Sequence, residues 1–146
     1  MSKQGKLTGW LAVVALLIAG VPTALQTQDP PLCCIAGKYA GTRIPNPMRG
    51  CPAPKAVKFV MILEQQVRCG EAVWGTVTGP TGDVNHFNGL LSRGCVFTAT
   101  FGTPGRMIRF TGAFHKLMGK WHASGRYTEE NLNRCCRAGT WEMKQI

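Results

Sequence analysis

Acid is scarce in this chain. Only 7 of its 146 residues are Asp or Glu, against 17 Lys and Arg, so the formal charge is +10. None of the seven carboxylates lies in a recognisable catalytic motif, and nothing in the sequence gives positive evidence for an enzyme. A long amphipathic helix is also missing after residue 28, and with it any Gly-rich phosphate loop opening a helix. No run of five or more basic residues and no RNA-binding aromatic motif occurs, which argues against nucleic acid as a partner. A surplus of positive charge still favours anionic polysaccharide or anionic lipid headgroups, or serves solubility alone. Structural zinc sites present cysteines as C-x₂₋₄-C. Here Cys33-Cys34 and Cys135-Cys136 are adjacent pairs, whose side chains on a strand point to opposite faces, so no metal and no cofactor is expected.

What is present begins with a leader. Residues 1–28 carry Lys3 and Lys6, then the apolar run 10–18, then a Gly-Val-Pro-Thr-Ala break. This is the pattern of an export signal, with Ala24 as a good final residue and Pro22 where a small residue is preferred. Uncleaved, residues 7–25 would just suffice as an N-terminal membrane anchor. Without the leader the charge is 15 basic minus 7 acidic residues, or +8. Either way residues 29–146 are expected to form a single domain outside the cytosol, membrane-bound only through a retained leader.

That domain reads as strands and turns. Residues 34–43, 57–65, 72–78, 85–91, 95–101, 107–114, 117–127 and 138–145 alternate along their length. Gly, Pro and Asp clusters interrupt them. The link between the sixth and seventh strands is placed at His115-Lys116, and Thr128 is placed to cap a helical turn in the polar segment 128–137. Residues 44–54 hold four prolines and read as a loop. Eight strands with no helix to cover a flat sheet predict an antiparallel meander closed into a small barrel, with a two-sheet β-sandwich as the alternative.

The export signal and Gly37-Lys38-Tyr39 on the first strand make the plan resemble the lipocalin and avidin-like barrels. Lipocalins carry Gly-x-Trp where this chain has Tyr39. The ordered polar residues by which avidins hold biotin have no match, so the resemblance implies a barrel that holds a small ligand, not biotin.

Seven cysteines in an exported domain predict disulfides. If the first strand runs upward, Cys33, Cys34, Cys69 and Cys95 fall at the bottom, whereas Cys51, Cys135 and Cys136 fall at the top. A barrel about 25 Å tall exceeds the ~7 Å Cα limit of a bridge. Cys51 is therefore expected to pair with Cys135 or Cys136, and Cys69 with Cys95, Cys33 or Cys34, with at least one thiol left over or bridged to a second chain.

Tyr39, Phe59, Phe97, Trp121 and Trp141 are the expected interior and the candidate ligand-facing residues, together with Phe101 as core. Composition leaves open whether they fill the barrel or line a cavity. Arg43, Arg49, Lys55 and Lys58 gather at the first top loop as a basic rim, and Arg68, Arg93, Lys116 and Lys120 at the bottom turns. His115 and His122, seven apart, would lie on opposite faces of one continuous strand, and His86 stands on another. The outward pair Val60 and Ile62 would be bare or covered by a loop or a second chain. The expectation is a non-enzymatic exported module. It binds an unknown apolar or anionic amphipathic molecule, or an envelope or extracellular protein, for example as an inhibitor of a secreted enzyme; an enzyme, with His86, His115 or His122 beside a carboxylate, is the third alternative.

Overall fold

The computed structural model describes residues 33–103, 106–130 and 134–146, and the leader lies outside them. Eight antiparallel strands follow one another: β1 (Gly37–Pro45), β2 (Val57–Gln65), β3 (Ala72–Thr78), β4 (Val84–Ser92), β5 (Val96–Thr103), β6 (Arg106–Leu117), β7 (Lys120–Glu129) and β8 (Ala138–Gln145). Each pairs with the next, and β1 pairs with β8 through the register Arg43↔Trp141, which closes the barrel and rules out the sandwich. Among the described residues the one helical piece is a 3₁₀ turn, Arg134–Cys136. The result is the closed antiparallel eight-strand architecture of the lipocalin and avidin-like barrels.

Alternation sends Tyr39, Phe59, Met61, Leu63, Val73, Val77, Phe87, Phe97, Phe110, Phe114, Tyr127, Trp141 and Met143 inward, and these make one core. Eight strands enclose little more than side-chain volume, so bulk on one strand needs its absence on a neighbour. At Gly125 an added Cβ would meet the Thr111 carbonyl oxygen at 1.9 Å, and at Gly41 it would meet the Phe59 ring at 2.5 Å. The glycines of this wall are where strands coil tightly and aromatic rings cross the lumen.

An aromatic cluster fills the barrel toward one end. Phe97 meets Phe114 at 5.5 Å and Trp141 at 6.1 Å between ring centroids, and Tyr39 meets Phe114 at 5.6 Å, all edge to face. Residues 33–36 cross beneath this cluster. Gln65 holds them: its Nε2 donates to the Cys33 and Gly70 carbonyls, and its Oε1 accepts from Ile35 N–H at 2.9 Å. Tyr39 donates its hydroxyl to the Ile35 carbonyl, and burial raises its pKa well above the ordinary value. Cys33–Cys95 and Cys34–Cys69, with Cα separations of 5.7 and 4.8 Å, staple the same end. Cys51–Cys135 does so at the other end, at 5.5 Å. The end-sorting expected from the strand plan holds for all three bridges, and Cys136 carries the free thiol.

Three expectations are corrected. The β6–β7 link is Met118-Gly119, not His115-Lys116, so Leu117 belongs to β6. Both turn residues have positive φ (49° and 78°), as a two-residue hairpin turn demands, and a methionine gives no sequence signal for that conformation. His115 and His122 are consequently cross-strand partners on one face, stacked at 5.7 Å, not on opposite faces of one strand. Thr128 lies within β7 and caps nothing; the helical turn comes later, at Arg134–Cys136. In addition, β1 runs on through Ile44 and Pro45, because β8 supplies partners to both.

Candidate functional site

The end of the barrel opposite the doubly stapled one carries the single Cys51–Cys135 bridge and the candidate site. It is bounded by the finish of β1, β3, β5 and β7 and the start of β2, β4, β6 and β8. Strand parity aims Arg43 of β1, Arg106 of β6 and Glu129 of β7 toward the lumen at this level: Arg106 and Glu129 lie two positions from the core residues Ile108 and Tyr127, and Arg43 pairs across the strands with the core residue Trp141. Glu129 is buried and lies between the two arginines. Its Oε2 accepts from Arg43 Nη1 at 3.0 Å and its Oε1 from Arg106 Nε at 3.1 Å. The Arg43 guanidinium also lies 5.2 Å from the centre of the Tyr127 ring. Burial raises the Tyr127 pKa, and the neighbouring Arg43 works against that rise. Arg43, Arg106 and Lys58 face the Glu129 and Asp83 carboxylates around this mouth, three cations against two anions, and one Arg43 nitrogen and the Arg106 Nε bond to Glu129.

Below the arginines is a cavity of about 550 Å³ with Phe59, Val77, Phe101, Ile108 and Phe110 on its inner wall and Lys58, Thr81, Asp83 and Asn85 at its rim. Binding sites for small molecules usually have about 300–1,000 Å³ and mostly apolar walls with a few placed polar groups. Phe101 and Ile108 each keep 7% of their surface accessible at the floor of this cavity. The barrel is therefore cupped at this end.

A larger depression of about 760 Å³ lies on the outer wall, over Ala40, Thr42, Val60 and Thr78, with Lys58, Glu142, Lys144 and the two stacked histidines around it. Its short outward side chains make it a trough on a convex wall, open to solvent along its length. The cup is smaller but enclosed by core side chains, and it is the better site.

Of the residues singled out from sequence, Phe59 lines the cup and Arg43 stands at its mouth. Lys58 reaches both the cup and the trough from the outer face of β2. Tyr39, Phe97 and Trp141 are packed in the filled half, and Trp121 is half-buried against Phe114 at the stapled end. Arg49 and Lys55 are exposed in the loop between β1 and β2, which the Cys51–Cys135 bridge ties to the 3₁₀ turn. His86 is exposed on β4. Val60 is half-buried and Ile62 exposed. Among the described residues no group of three or more His, Cys, Asp or Glu is placed to hold a metal.

Arg106 and Glu129 were not singled out. Counting back in twos from Phe110, and onward in twos from Tyr127, aims both inward at one end. Glu129 was hidden because residues 128–137 looked like a polar turn.

No protein-family model matches this sequence, and no curated protein is detectably similar to it.

Proposed function

We propose that this protein is an exported, non-enzymatic binding barrel. It takes a small apolar or amphipathic molecule into the cup at its singly stapled end, apolar part inward and anionic part at Arg43 and Arg106. The observation that carries the reading is the cavity at this mouth of the barrel, with Arg43 and Arg106 at its rim against the buried Glu129. The three disulfides fit an oxidising compartment, as the leader pattern does. The lipocalin and avidin-like resemblance supports the same class of function, although fold alone does not choose a ligand. The cup's contents are apolar walls and charge-pairing groups, the means of holding a molecule.

The test is displacement of a fluorescent anionic amphiphile such as an anilinonaphthalene sulfonate by long-chain carboxylates. Saturable one-to-one uptake is expected, and Val77→Trp, which fills the cup, should abolish it without altering the melt. Absence of saturable uptake of any apolar probe, or uptake unchanged by filling the cup, would reject the reading.

A further inference from the structure

The stapled end has a surface chemistry that the cup does not explain. Here the β6–β7 hairpin outruns its neighbours. The β5–β6 register stops at Val96↔Ala113 and the β7–β8 register at His122↔Lys144, so Lys116↔Trp121 and Leu117↔Lys120 pair only with one another. Met118 at the tip is 96% exposed, Leu117 is exposed beside it, and the Lys116 ammonium lies 5.5 Å from the Trp121 ring centre. Met118 has a positive φ, where Asn, Asp or Gly is the usual occupant, so neither the turn nor the core accounts for a methionine there. Across the barrel end, the β2–β3 turn repeats the pattern with Val67, 87% exposed, next to Arg68. Arg93 stands in the β4–β5 turn between them. Against Arg68, Arg93, Lys116 and Lys120, the acidic residue of these described turns is Glu71.

Bare apolar tips ringed by basic side chains, with a Trp at the boundary, fit a surface that is anionic outside and apolar just beneath. We propose that the closed end docks on an anionic lipid surface, the β6–β7 hairpin placing Leu117 and Met118 below the headgroups while Lys116, Lys120, Arg68 and Arg93 meet the phosphates. The opposite end, with its cup, then faces solution. Cys33, where the described residues begin, lies at the docking end. The inference stands independently of what the cup binds.

The test is partition of the full chain onto vesicles of phosphatidylcholine alone and with about 30% phosphatidylserine. Wild-type protein is expected to bind the anionic vesicles at least tenfold more tightly, less so as salt rises. Met118→Asp and the double variant K116E/K120E should each lose at least tenfold of that affinity. The control R49E/K55E makes the same net charge change at the opposite end and should lose less than twofold. All these side chains are exposed, so melting temperatures should hold; Met118→Ser replaces Met118→Asp if that variant melts low. Equal binding to neutral vesicles, which the leader alone would give, overturns the proposal. A hairpin loss no larger than the control's, which overall charge would give, overturns it too.

Discussion

Replacing Glu129 with Gln separates what the cupped end needs for stability from what it needs for binding. The substitution keeps size and shape, so no cavity term enters. The Glu129 side chain is 2% exposed, its Arg43 partner 21% and its Arg106 partner 66%. The Arg106 pair is largely solvated and contributes on the order of 0.5 kcal/mol. The Arg43 pair is a charge-assisted hydrogen bond in a mostly dry setting, worth about 1.5–3 kcal/mol, and its loss leaves a guanidinium over Tyr127 with no counter-charge. Together these predict a destabilisation of about 2–3 kcal/mol, or roughly 8–12 °C in melting temperature for a domain of this size. Binding should move the other way. A ligand anion about 6 Å from the lost carboxylate, at an effective dielectric of about 40, is relieved of roughly 1.4 kcal/mol of repulsion, about tenfold in affinity. Calorimetry and titration with an anionic and a neutral apolar probe read both effects: lower melting, tighter anion binding, neutral binding unchanged. Melting within about 2 °C of wild type, or weaker binding of the anionic probe, would refute the assignment of Glu129 as the internal counter-ion of the mouth.

Two further outcomes follow from the same frame. The Cys51–Cys135 bridge closes a sequence separation of 84 residues, for which loop entropy gives roughly 4.6 kcal/mol. C51S/C135S should lower the denaturation free energy by about 2–5 kcal/mol, and an unchanged urea midpoint would show that the bridge is absent in solution. At alkaline pH, Tyr39 and Tyr127 both have folded pKa values above the ordinary 10.0. The fold binds their protons more tightly than the unfolded chain does. Their stabilisation is therefore whole below pH 10 and erodes above it, at up to about 1.4 kcal/mol per pH unit for each. Tyr39→Phe should flatten that slope in melts between pH 9 and 11.5, and an equally steep slope in the variant would count against it.

Strand periodicity determined much of this molecule from residues alone. Alternation marked the strands, the shortage of helix forced closure, and the up-and-down order sorted six cysteines to the ends where their bridges lie. Those are local or topological facts, and period and spacing carry them. Three matters had to wait for the tertiary structure. The turn at Met118-Gly119 has only Gly119 as a turn-forming residue; the pairing of β6 with β7 sets its place, and with it the relation of His115 to His122. Arg43, Arg106 and Glu129 are 63 and 23 residues apart along the chain, and only closure of the barrel brings their charges within hydrogen-bond reach. Whether the interior is full or hollow depends on how ring volumes and inward glycines sum at each level of the lumen. No count of aromatics reports that sum, because it is fixed by the register of all eight strands together.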